Sequence, residues 1–224
     1  MINSAYSLNK FDRNFEVTIF NFFGEFNQRI LEIKKKKINL ENFYNANLLK
    51  FLPKYGKFSS RLSFFIFFLL GIFPLLRVLK KKNPDYIIIH LITSLPLFLL
   101  IFFNFKTKFI LRISGLPKLN IFRKYLWKIA LKKIYIVTSP TKETYEHLKS
   151  LKLCEDKKLK ILFDPVINVS EININMRKTI ENYDDFYLAA GRLTNQKNFF
   201  FLCDCFKELI KKYPKINLFI IGEG

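Results

Sequence analysis

The chain has 224 residues, half of them apolar, which is enough to bury one full core and part of a second and excludes disorder as the default state. Lysine and arginine (38) outnumber aspartate and glutamate (18), giving a formal net charge of +20. A surface so basic attracts polyanions, whether nucleic acid, an anionic membrane face or nucleotide diphosphates, and charge alone does not choose among them. The Lys, Asn, Ile and Phe excess is also what an AT-rich genome produces.

In chain order, residues 1–14 lack the sustained apolar run of a signal peptide. Residues 16–20 predict a strand and residues 64–79 a helix. The charge-free part of that helix, residues 64–76, contains Gly71 and Pro74 and falls short of the roughly 20 apolar residues that a bilayer span needs. Arg61 at one end and Arg77, Lys80, Lys81 and Lys82 at the other allow two readings. The helix either lies in a membrane interface with its cations on anionic headgroups, or is a core helix with a solvated basic tail. Residues 86–105 have the length of a span, but His90, Thr93, Ser94 and Pro96 interrupt them. They read better as a strand at 85–90 and a helix at 95–103.

A strand at 108–113, a helix at 122–131 and a strand at 134–138 follow. A helix opened by Ser139-Pro140 comes next, with Ser as cap and Pro in the first turn, then a strand at 160–163. Alternating strands and helices predict a parallel sheet with helices on both faces. Residues 169–184, rich in Asn and charge, read as a linker. After it come a strand at 186–190, a polar loop at 191–198, a helix at 199–213 and a strand at 216–221. Phe199, Leu202, Cys203, Phe206, Ile210 and Tyr213 share one face of that helix, which makes Cys203 a core residue. Cys154, Cys203 and Cys205 have neither disulfide-framework nor zinc spacing, which points to a reducing cytoplasm.

The loop Ala190-Gly191-Arg192-Leu193-Thr194-Asn195-Gln196-Lys197-Asn198 joins a parallel strand to a helix N-terminus. Free amides and the helix dipole there favour an anion, two cations neutralise it, and Gly191 permits a tight turn. A basic loop is also often simply solvated. Residues 220–224 run a buried strand into a glycine-rich turn, where a doubly wound sheet places a ligand loop.

Gly191-Arg192-Leu193-Thr194, Gln196-Lys197-Asn198, a helix, Tyr213-Pro214 and Ile220-Ile221-Gly222-Glu223-Gly224, in that order and spacing, resemble the start of the nucleotide-binding domain of family 4 retaining glycosyltransferases. The resemblance implies an α/β chain of GT-B type. Residues 1–178 would form a Rossmann-like, acceptor-side domain with its linker, and residues 179–224 the first β-α-β unit of a second, nucleotide-sugar-binding domain. By the same analogy Arg192 and Lys197 contact the donor diphosphate and stabilise it as it leaves, and the Gly222-Glu223-Gly224 turn borders the nucleotide. In the first domain, Pro84-Asp85 and a strand ending in His90 are similar to a family strand that finishes near a catalytic histidine. Ile113-Ser114-Gly115 resembles the loop facing the donor, although many relatives carry His where Ser114 stands. Val137-Thr138-Ser139 and Asp164-Pro165-Val166 replace the family's Val-Ser strand end and Asn-Gly-Val turn.

The resemblance implies transfer of a hexose-type sugar, with retention, from a nucleotide-diphosphate donor to a membrane-associated glycan or lipid-linked acceptor, as in bacterial polysaccharide or lipopolysaccharide assembly. It implies no cofactor and no metal, and a cytoplasmic enzyme held peripherally on the inner face of an anionic membrane. The family's paired glutamates and its N-terminal Gly-Gly loop are not found in these residues, so a chain incomplete at its C-terminus and divergent or incomplete at its N-terminus is expected to bind donor weakly. Nucleic-acid binding is disfavoured, because the aromatics lie in apolar runs and are not interleaved with cations. The competing class is a small basic integral membrane protein with spans at 64–76 and 86–105.

Overall fold

The computed structural model describes residues 1–12, 14–44, 57–90, 93–117, 119–163, 169–177 and 186–223. The chain divides into two units, Met1–Val166 and Ile167–Gly224. The first opens with helix α1 (Ile2–Phe11), strand β1 (Thr18–Asn21), helix α2 (Ile30–Lys35) and strand β2 (Asn39–Asn42). β1 and β2 pair in parallel, and Ile2, Ala5, Ile19, Ile33 and Ile38 close a small core around them. Asn21 is 1% exposed but fully partnered. Its amide donates to Asn27 Oδ1 (3.0 Å) and Asn42 Oδ1 (2.7 Å), and its oxygen accepts from the Phe26 amide (3.2 Å). A buried polar group so satisfied ties the strand ends together at little cost.

Helix α3 (Lys57–Arg77) is longer than the sequence predicts and continues through a π-helical turn, Val78–Lys82. Pro74 lies inside it and cannot donate to the carbonyl of Leu70 four residues back. The Tyr44 hydroxyl donates to that carbonyl instead, at 2.8 Å. Gly71 lets α3 approach helix α4 (Ser94–Phe102), since a Cβ at Gly71 would stand 2.6 Å from Leu95 Cδ2.

The main sheet comprises β3 (Tyr86–Ile89), β4 (Lys108–Arg112), β5 (Ile136–Ser139) and β6 (Leu159–Ile161), all parallel and adjacent in that order. With α4, α5 (Ile121–Lys132) and α6 (Lys142–Ser150) it encloses a core that includes Leu95, Leu99, Phe109, Leu111, Leu131, Ile134 and Val137. Each such side chain contributes about 1.5–3 kcal/mol by leaving water. Residues 86–105 therefore fold as a strand and a buried helix, which removes one of the two spans required by the membrane-protein alternative.

Two local expectations are corrected. Ser139 does not cap α6, because it is the last residue of β5 and fully buried. Thr141 caps it, accepting from the Thr144 amide at 3.2 Å. Residues 169–184 are not uniformly linker either, since Val169–Met176 forms helix α7.

In the second unit, β7 (Phe186–Ala190) and β8 (Asn217–Ile221) pair in parallel over five residues, connected by α8 (Phe199–Lys212). Tyr187 meets Phe206 edge-on at 5.8 Å, and Phe206 is the buried residue of α8. Cys203 is exposed, contrary to its predicted core position. The sheet-facing stripe runs through Leu202, Phe206 and Leu209, so the 3–4 spacing rotates Cys203 and Ile210 out of it. The Asp164-Pro165-Val166 turn lies outside the described residues.

Candidate functional site

Parallel strands deliver their connecting loops to one edge, and the loops after β7 and β8 lie side by side there. The Gly191 amide donates to the Ile221 carbonyl (2.9 Å), and the Leu193 amide donates to the Glu223 carbonyl (2.9 Å). This continues strand pairing into the turn. Gly222 is required by contact: a Cβ there would fall 1.8 Å from the Gly191 carbonyl oxygen, closer than any side chain permits. The aliphatic stem of Lys197 packs over Gly191, with Cδ and Cε 3.7 Å from where a Cβ would be.

The segment between closes in two tight steps, Lys197 N–H to Thr194 O (2.9 Å) and Asn198 N–H to Asn195 O (3.2 Å). Asn198 enters α8 in the left-handed region (φ 48°, ψ 46°) and gives it no side-chain cap, a conformation that asparagine tolerates better than most residues. Gly191, Arg192, Lys197, Gly222 and Glu223 are thus brought to one strand edge, with Arg192 and Lys197 exposed. Gly224 lies outside the described residues.

The other predicted residues sit in the first unit. His90 directly follows β3, and Ser114 and Gly115 follow β4. Ser114 and Gly115 line a cleft of about 230 Å³ with Thr93, Arg112, Arg123 and Trp127 among its walls. His90 is not in that lining, but it feels the charge of Arg112, which is. Its pKa is lowered to about 4 by burial, then by the positive charges of the chain's amino terminus and of Arg112. Burial also lowers the pKa of Arg112. His90 is therefore a neutral imidazole at physiological pH, able to accept or donate one hydrogen bond.

Arg112, Arg123 and Trp127 escaped the sequence reading. Arg112 was absorbed into an apolar strand, and Arg123 and Trp127 into a helix read only for its periodicity. A cation closing an otherwise aliphatic strand was the available signal. A second recess, of about 300 Å³, is lined by Asn14, Pro84, Asp85, Tyr86 and Lys108 among others. It lies at the amino ends of β3 and β4, whereas open parallel sheets bind ligands at the carboxyl ends. Among the described residues no group of three or more His, Cys, Asp or Glu could hold a metal ion.

No protein family's sequence model matches the chain. It is 31% identical over 246 aligned positions to an uncharacterized glycosyltransferase of Methanocaldococcus jannaschii, an alignment covering 97% of this chain and 55% of the relative. The chain thus spans about half the length of the curated relative it matches. In fold it is similar to a glycosyltransferase from Rickettsia africae, with a TM-score of 0.58 at 15% identity, over 98% of this chain and 63% of that structure. The chain has the Rossmann-like α/β fold of that glycosyltransferase, in keeping with the GT-B type that the sequence motifs imply.

Two outcomes follow from this geometry. Gly222→Ala will force the β7 and β8 loops apart, and amide hydrogen exchange at Gly191 and Leu193 will quicken by at least about tenfold, the equivalent of 1.4 kcal/mol. Unchanged protection would show that the two glycines do not meet. For His90, the folded pKa lies below the ordinary 6.5, so the unfolded chain binds a proton that the folded chain refuses as the pH falls toward 4. Stability is complete above 6.5 and declines between 6.5 and about 4. His90→Gln should flatten that part of the stability-against-pH curve, measured by urea unfolding.

Proposed function

We propose that this chain carries the acceptor-side domain and the opening of the donor domain of a GT-B glycosyltransferase. The enzyme would move a hexose-type sugar from a nucleotide diphosphate to a membrane-associated glycan or lipid-linked acceptor with retention. The supporting observation is the glycine-backed loop, in which Gly191 and Gly222 bring two strand ends into contact and leave Arg192 and Lys197 exposed beside them. As the sugar–phosphate bond breaks, positive charge grows on the sugar and negative charge on the departing diphosphate. Arg192 and Lys197 would stabilise the latter, with the amides at the start of α8 adding their dipole. Gly224 belongs to the same turn in this reading. In the first unit, the family resemblance assigns Ser114 and Gly115 to donor binding and His90 to catalysis. The reading assigns no cofactor and no metal, because two cations and helix amides can supply the positive charge.

Membrane contact is supported by α3. Leu62, Phe65, Leu69 and Phe73 recur along one stripe and are exposed, Phe73 by 79%, and Arg77, Lys80 and Lys81 follow, exposed as well. The stretch Leu62–Lys82 is long and apolar enough to cross a membrane by length and composition. Its opposite face, however, packs into the first unit through Leu75, Val78 and Leu79. A helix with one face committed to a folded core would lie in the interface, placing the enzyme peripherally on the cytoplasmic side of an anionic membrane.

Replacing both Arg192 and Lys197 with Ala in the full-length protein should lower sugar transfer by at least about a hundredfold and leave the melting temperature unchanged. Retained transfer would refute the assignment. Washing membranes at alkaline pH should release the protein, and resistance to the wash would mean that α3 spans the bilayer.

A further inference from the structure

Helix α5 begins at the carboxyl end of the main sheet, after β4 and the Ser114-Gly115 loop, and its first turn is apolar where it meets water. Ile121 is 91% exposed, Phe122 68% and Tyr125 64%, and Leu116 in the preceding loop is exposed as well. The helix is anchored elsewhere, through buried Ala130 and Leu131, and the Asn120 side chain caps its start by accepting from the Arg123 amide at 2.8 Å. Large apolar side chains gathered in water, with no core behind them, mark a surface that meets a partner.

The charge around this tip narrows the partner. α5 carries Arg123, Lys124, Lys128 and Lys132 and no acidic residue, and the sequence holds no aspartate or glutamate between Asp85 and Glu143. Among the described residues none of these cations is ion-paired. Exposed rings and aliphatic groups flanked by cations suit a lipid headgroup layer, with the apolar groups at the acyl boundary and the cations on phosphates. A second copy of the chain would bring the same cations against one another, so charge disfavours self-association here. The tip also adjoins the surface proposed for lipid contact. α4 packs against both α3 and α5, and the aromatics of α3 continue onto it, where Phe98 meets Phe68 edge-on at 5.1 Å and Phe102 at 4.8 Å.

We propose that the first turn of α5 is a second membrane contact, with Leu116, Ile121, Phe122 and Tyr125 seated among the headgroups of an anionic bilayer. The proposal rests on the peripheral-membrane reading given for α3 and adds an orientation to it. Pro117, Leu119 and Arg123 belong both to this segment and to the wall of the cleft at Ser114 and Gly115. The cleft therefore opens at the lipid surface and takes its acceptor from the bilayer, not from bulk water.

The full chain is mixed with phosphatidylcholine vesicles containing phosphatidylglycerol, and sedimentation gives the bound fraction. Ile121→Ser with Phe122→Ser should weaken binding by at least about tenfold, and binding by the unaltered chain should fall as salt is raised. A second variant reports position directly. Trp127 is the single tryptophan, so Phe122→Trp with Trp127→Phe leaves one indole, at the tip, and its emission should move to shorter wavelength when vesicles are added. If the unaltered chain sediments with vesicles but the double serine variant binds equally, or the indole emission does not move, the proposal is overturned while the reading of α3 stands. If the unaltered chain ignores the vesicles, both fall. Equal binding to pure phosphatidylcholine would overturn the anionic partner, and a solution dimer that the serine substitutions dissociate would assign the patch to a second copy.

Discussion

Parallel strand pairing is the constraint from which the chemistry of this chain follows. In a parallel sheet every strand leaves through the same edge, and the crossover helix returns the chain outside the layer, so polar turns collect at the carboxyl ends. Within the first unit, this edge carries His90 after β3 and Arg112, Ser114 and Gly115 at the end of β4. Within the second, it carries Gly191 to Lys197 after β7 and Gly222 and Glu223 after β8. Each group is assembled from residues separated by a helix in sequence, and the pairing register alone makes them neighbours. The contact of Gly222 with the Gly191 carbonyl extends this logic beyond the last ladder bond, where a side chain would break it.

Electrostatics give the two edges related characters by different means. The loop of the second unit leaves Arg192 and Lys197 exposed to water. In the first unit the positive charge is partly desolvated. Burial lowers the pKa of Arg112 and, with the help of neighbouring cations, holds His90 neutral. Partial burial strengthens the interaction of such groups with an anion while raising the cost of leaving them without one.

The strands of the main sheet were legible because Tyr86–Ile89 and Lys108–Arg112 carry short apolar runs whose anchors, Ile89, Phe109 and Leu111, the sheet buries. The loop at 191–198 was legible because strand, glycine, cations and helix follow one another without interruption. The opening of the chain was not. Ile2, Ala5, Ile19, Ile33 and Ile38 are the buried apolar anchors in and beside α1, β1, α2 and β2, and such sparse anchors in Asn- and Lys-rich segments show no period. The cap of α6 was misplaced by two residues, because Ser139-Pro140 and Thr141 carry the same local signal. Burial of Ser139 by the sheet decides between them. The length of α3 was underestimated because Pro74 reads as a breaker, and nothing local reveals that Tyr44 supplies the missing hydrogen bond.

The central claim is that the paired-glycine edge of the second unit receives the donor's diphosphate, and amide chemical-shift mapping with uridine or guanosine diphosphate tests it most directly. The account predicts shifts confined to the amides of Gly191 through Phe200 and of Gly222 and Glu223, weakening as salt is raised. Shifts absent from those amides, or centred on residues at the amino ends of the strands, would contradict it.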